Sequence, residues 1–125
     1  MNHQTITAAG APAAVGPYCH AKLCGDTLYC SGQLGLIPET GVLAQGVEAQ
    51  AKQALDNLGA VLQAAGMTYA NVVKTTVFLA DIGDFGAINE VYASYFTANP
   101  PARSCVQAGA LPKGGLFEIE AIAVK

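Results

Sequence analysis

The run Val72 to Ala80, Val-Val-Lys-Thr-Thr-Val-Phe-Leu-Ala, limits the possible folds more than any other stretch of this chain. β-Branched residues dominate it, which suits an extended, pleated backbone. Successive strand side chains point to opposite faces. One face would hold Val72, Lys74, Thr76, Phe78 and Ala80, and the other Val73, Thr75, Val77 and Leu79. Both carry bulk, so the run reads as a central strand covered on both sides.

Part of that cover is legible nearby. Val47, Ala51, Leu55, Leu58, Leu62 and Ala65 recur at spacings of three and four. That is one apolar stripe on a helix from about Gly46 to Ala65. Gln45, Glu48, Lys52, Gln53, Asp56 and Gln63 supply its polar side, and Gly66 sits where a C-terminal capping glycine belongs. Asp84 is a suitable N-cap for a second helix to about Phe96, with Ile88, Val91, Tyr92, Tyr95 and Phe96 on its apolar face. Pro100-Pro101 prevents it from continuing. Strand-like runs occur at Gln4–Thr7, Tyr18–Leu23, Thr27–Cys30, Arg103–Ala110 and Leu116–Val124, with a hairpin at Gly25-Asp26. The order predicts an α+β chain, one mixed sheet with both helices on one face. The length, 125 residues, predicts one domain spanning 1–125.

Two helices cover only one side of such a sheet. Its other apolar face then needs a partner. The charge count agrees: 12% of residues are charged and 52% hydrophobic, against roughly 25% charged in average chains. A closed, symmetric homo-oligomer with its sheet faces inward is the expected solution.

Charge also narrows the ligand. The net charge is −3, and Lys22, Lys52, Lys74, Arg103, Lys113 and Lys125 are scattered in sequence. No cluster of cations is available to neutralise a phosphate backbone, so nucleic acid is disfavoured as the main ligand. No apolar run reaches the roughly 18 residues of a membrane span. Met1-Asn2-His3-Gln4-Thr5 lacks the basic and apolar regions of a secretory leader, which leaves the cytoplasm as the expected location. Cys19, Cys24, Cys30 and Cys105 form no C-x-x-C pair, and with only His3 and His20 there is no metal-ligand spacing. They are expected to be reduced, mostly buried thiols. His20 is the only plausible partner for a nucleophilic one. Phosphate-binding loops, dinucleotide fingerprints and nucleophile elbows are missing from the sequence.

A few residues remain that could carry chemistry. Arg103 opens a strand, where a planar guanidinium could grip a carboxylate through two parallel hydrogen bonds, or simply pair with an acid. Glu118 and Glu120 stand two apart in the last strand and share a face. In a cleft, one could orient a water or move a proton; in solvent, both are solubilising. Two carboxylates so close would raise the pKa of one. Gly16-Pro17-Tyr18 places a phenol at a strand start, and Ser31-Gly32-Gln33 places bare backbone at a strand end, where a ligand can approach. Asn89 is a candidate buried hydrogen-bonder.

In chain order, these segments resemble a known family. They are Gly16-Pro17-Tyr18, Ser31-Gly32-Gln33, Gln50 through Asn57-Leu58, Ala65-Gly66, Val73 to Leu79, Asp84-Phe85, Asn89, Tyr92, Phe96, Pro101-Ala102-Arg103-Ser104, Leu111-Pro112 and Glu118 to Ala123. The chain resembles the reactive intermediate deaminase family, RidA/YjgF, over about residues 4 to 124. The Pro-Ala-Arg-Ser and Glu-Ile-Glu-Ala-Ile-Ala stretches are the specific part. The resemblance implies a chorismate-mutase-like α+β fold, a homotrimer with ligand sites between subunits, and no cofactor. It implies hydrolysis of 2-iminobutanoate and 2-iminopropanoate to 2-oxo acids and ammonia. Carried over by position, Arg103 would clamp the substrate carboxylate and Glu118 would activate the water. The main chain at Cys105 would contact the imine nitrogen. Tyr18 would line the site from a neighbouring subunit, Ser31 and Gly32 would border it, and Asn89 would support it. The chain departs from the family pattern at Cys19-His20, at Phe117 and in a shorter Thr97–Pro100 loop, changes that bear on pocket volume. Two other readings stay open: a non-catalytic binder of small 2-oxo or amino acids, and an RNA-directed endoribonuclease or translation inhibitor.

Overall fold

A computed structural model describes residues 3–125; Met1 and Asn2, part of the leader reading above, lie outside them. Six strands form one sheet: β1 (His3–Ile6), β2 (Ala21–Cys24), β3 (Thr27–Leu34), β4 (Val72–Leu79), β5 (Ala102–Gln107) and β6 (Phe117–Val124). Their order across the sheet is β1-β2-β3-β6-β4-β5. All neighbours are antiparallel except β4 and β5, which run parallel. Helices α1 (Val47–Ala64) and α2 (Phe85–Tyr95) provide the crossovers.

Both helices pack on one face. Ala51, Ala54, Leu55, Leu58, Val61 and Leu62 of α1 are fully buried with Leu28, Val77, Leu79, Phe117 and Ile119 of the sheet. Burying each large side chain stabilises the fold by about 1.5–3 kcal/mol. α1 ends as Gly66 and Met67 donate backbone hydrogen bonds to Gln63 and Leu62, and Met67 is buried against the core. The opposite sheet face is open. It displays Tyr29, Val73, Val106 and Val124, all at least 38% exposed.

Four details depart from the sequence reading. Tyr18 to His20 are not strand; β2 begins only at Ala21, because the backbone there is tied elsewhere, Ser31 Oγ donating to Cys19 O and Ser31 N to His20 O. Ser31-Gly32 lies inside β3, not at its end. Cys30 faces Ala121 and Gln33 faces Ile119, so two residues oppose one and form a bulge. A second irregularity, between Val72 and Lys74, breaks the alternation of β4. It leaves Val73 exposed and puts Val72 with Thr75, Val77 and Leu79 on the buried face. Asp84 makes no side-chain cap to α2; Asp81 accepts from Gly83 N and starts a 3-10 turn that runs into the helix.

The thiols are less buried than expected. Only Cys30 is buried, which pushes its pKa to about 12; Cys24 is exposed and Cys19 and Cys105 are half-buried. His20 is buried with both ring nitrogens engaged on backbone, Nδ1 accepting from Ala8 N and Nε2 lying 2.7 Å from Pro12 O. It is a loop tether, not a thiol partner.

Candidate active site

The inward side chains of β6 are Phe117, Ile119, Ala121 and Ala123, so Glu118 and Glu120 face the open side. Glu118 pairs across the ladders with Leu34 on β3 and Phe78 on β4. The β3 bulge next to it holds Gly32, where a Cβ would collide with the Glu118 carboxylate. Glycine is therefore what lets the carboxylate lie against bare backbone. Burial, and then the charge of Glu120, raise the pKa of Glu118 above its ordinary value. Glu118 lines an open cleft of about 930 Å³ with Tyr18, Ser31 and Gly32. Val15, Leu34 and Pro112 supply apolar wall, and Lys113 the one cation among the described residues that line it. Tyr18 stands at the rim on an irregular loop, 53% exposed. Ser31 directs its hydroxyl proton to Cys19 O at 2.7 Å, so it tethers the Tyr18 loop.

Arg103 lies elsewhere. It sits opposite Thr75 in the β4–β5 ladder, and its side chain turns to the helix-covered face. Nη1 donates to Asn89 Oδ1 at 2.8 Å, and the guanidinium carbon lies 4.7 Å from the Tyr92 ring centroid and 5.3 Å from that of Phe85. The side chain is half-buried, not free in solvent. Cys105 follows on the same face of β5; burial raises its pKa, partly offset by Arg103. β5 ends the sheet, so its outer backbone groups have no strand partner among the described residues.

Seven residues singled out in the sequence thus fall into two groups. Tyr18, Ser31, Gly32 and Glu118 share one cleft; Asn89, Arg103 and Cys105 share another surface. Arg103 and Glu118 lie two strands and three residues apart, roughly 14 Å between backbones, on opposite faces of the sheet. Within one chain they cannot hold the same small molecule. Phe85, Tyr92 and Thr75, which contact or support the arginine, carry no site role in the sequence reading. Their signal was faint: a hydroxylated aromatic on an apolar helix face, and an inward threonine in the strand beneath it. Lys113 at the cleft carries a left-handed backbone, φ 59°, unusual for a side-chain-bearing residue.

Taken together, an arginine that has no carboxylate partner among the described residues and a carboxylate whose pKa is raised by burial suit a hydrolase of small anions. Comparison with known proteins narrows the class. The chain belongs to the family described as Endoribonuclease L-PSP, whose sequence model matches residues 8–125. A Rattus norvegicus protein named 2-iminobutanoate/2-iminopropanoate deaminase is 55% identical over 123 residues, 98% of this chain and 90% of that one. Among solved structures, a putative endoribonuclease L-PSP from Entamoeba histolytica superposes with TM-score 0.95 at 47% identity, covering 98% of this chain and 99% of that one. E. coli TdcF with bound serine superposes with TM-score 0.95 at 42% identity, covering 98% of each chain. The mixed sheet with two helices on one face is the fold these relatives share. Among the described residues no helix is long and apolar enough to cross a membrane.

Proposed function

We propose that the chain is a hydrolytic deaminase of small 2-imino acids, 2-iminobutanoate and 2-iminopropanoate, and that its site forms between two copies of the chain. The observation that carries this reading is the division of the site: Arg103 with Asn89 on one face, and Glu118 in its cleft on the other. A second copy that brings its Glu118 cleft to the Arg103 edge completes the site. Near-full-length likeness to proteins named for this deamination supplies the substrate. A relative with serine bound supports an amino-acid-sized ligand.

The chemistry needs few parts. Arg103 takes the substrate carboxylate through the N–H donors that Asn89 leaves free, which fixes the C=N carbon in place. Glu118 accepts a proton from a water as its oxygen bonds to that carbon. Glu118 gives that proton to the nitrogen, and the tetrahedral adduct then collapses: Glu118 takes the hydroxyl proton as the C=O bond forms and passes it to the nitrogen, the C–N bond breaks, ammonia leaves and the 2-oxo acid remains. The raised pKa makes Glu118 a stronger base than an ordinary glutamate. Cys105 contributes main chain rather than thiol. The assembly is a homotrimer, three being the number the resemblance implies; the open apolar sheet face and the 12% charge content support burial between copies. The cytoplasm is its location.

The test couples a threonine dehydratase to semicarbazide, which traps 2-iminobutanoate. Wild-type protein should divert the flux to 2-oxobutanoate, and Arg103→Ala should abolish that effect with assembly intact. Equal behaviour of the two would remove the site assignment. Binding of 2-oxobutanoate without diversion would instead mark a non-catalytic binder. The endoribonuclease name of the family and of the Entamoeba histolytica relative favours a second reading, RNA cleavage. The net charge of −3 opposes it; RNA cleavage that survives high salt and is lost in Arg103→Ala would establish it.

A further inference from the structure

No described carboxylate forms an ion pair with Arg103. Among the described residues the one ion pair is Lys52–Asp56. The guanidinium is held by a neutral amide and two aromatic rings. Such contacts fix a cation while leaving it unneutralised for an anion. The three residues that hold it, Phe85, Asn89 and Tyr92, lie at spacings of four and three on α2 and so form one stripe. Of the three, Tyr92 is the one anchored from beneath. Its hydroxyl lies 2.8 Å from Thr75 Oγ1 in a buried contact, and Thr75 has no exposed surface. Thr75 is also the residue directly opposite Arg103 in the β4–β5 ladder. One strand position therefore sets both the backbone of Arg103 and the ring that faces its side chain.

We propose that the Thr75–Tyr92 pair is a brace that positions Arg103, fixing the plane of its guanidinium and hence the affinity for the substrate carboxylate. This rests on Arg103 as the carboxylate clamp. The pair touches no reacting atom, so it governs binding and leaves the hydrolytic step nearly unchanged.

The experiment measures 2-oxobutanoate affinity by calorimetry, and KM and kcat in the coupled assay, on size-checked assemblies of each variant. Tyr92→Leu removes the ring and should weaken binding about 2- to 30-fold, the span of a cation–π contact. Tyr92→Phe and Thr75→Val each break only the hydroxyl pair and should weaken it roughly two- to fivefold. The Thr75→Val/Tyr92→Phe double variant should be no weaker than the worse single one, because the pair acts as a unit. Thr75→Ser keeps the hydroxyl and should restore affinity. In all of them KM should rise while kcat stays within about twofold. If Tyr92→Leu fails to assemble, the two conservative variants carry the test. Wild-type affinity in Thr75→Val and Tyr92→Phe, with binding lost in Arg103→Ala, overturns the brace and leaves the clamp standing. A fall in kcat at unchanged affinity also overturns it. Wild-type affinity in Arg103→Ala overturns the clamp, and the brace with it.

Discussion

Glu118 is a carboxylate held at a disadvantage. Burial, then the neighbouring charge of Glu120, favour its protonated form. Its pKa is raised in the folded state, so the folded chain binds that proton more tightly than the unfolded one. The resulting stability is complete below the ordinary value of 4.5 and is lost as pH rises through the folded pKa. Glu118→Gln should therefore raise the melting temperature at pH 7, with the difference vanishing below about pH 4.5. The acid limb of kcat/KM for wild type should lie above the ordinary glutamate range. Glu120→Gln should move that limb downward, since Glu120 is one of the two causes of the shift; an unmoved limb would mean that another group titrates. Gly32 is a second lever. The nearest atoms to a Cβ there are those of the flexible end of Glu118, so the carboxylate can swing aside and the fold survive. Gly32→Ala should cut kcat roughly 10- to 100-fold with little change in melting temperature; unchanged turnover would place Glu118 outside the chemistry.

At the scale of elements, α1 does more than supply a greasy face. Asn57, 1% exposed, donates from Nδ2 to Leu34 O and Leu36 O, and Gln50 bridges Ala44 O and Leu116 N. The Asn57 bonds pin the end of β3 that follows the bulge, and those of Gln50 tie the approach to α1 to the start of β6. Asn57→Ala leaves two carbonyls without their partner and should destabilise the fold by about 1–3 kcal/mol in urea unfolding; no measurable loss would mean that water replaces the side chain. The helices were legible because a 3.6-residue stripe survives in sequence, as in Ala51, Leu55, Leu58 and Leu62. Asn57 and Gln50 were not, since a polar residue on a buried face looks like noise until its backbone acceptors are placed. The bulges at Ser31-Gly32 and Val73 were equally hidden. A strict period of two has no way to mark one extra residue: Val73 reads as regular strand, and Ser31-Gly32 reads as the end of one. Tyr18 was misread for a related reason: what ties its loop down is a hydroxyl twelve residues beyond Cys19, a contact no local pattern contains.

For the molecule as a whole, the sequence already implied a sheet with one face uncovered, through bulk on both faces of Val72–Ala80 and too little charge. Arg103 and Glu118 were legible as residues by their types and their resemblance to a family, but not as members of opposite faces. That division depends on ladder register, Thr75 against Arg103 and Phe78 against Glu118, and on which face the helices cover. It also makes the central claim directly testable by mixing subunits. Arg103→Ala and Glu118→Ala should each be inactive alone. Unfolded together in equal amounts and refolded, they should recover about a quarter of wild-type activity, because random association pairs an intact arginine face with an intact glutamate face at one site in four. Mixed assemblies that form but stay inactive would contradict a site shared between copies.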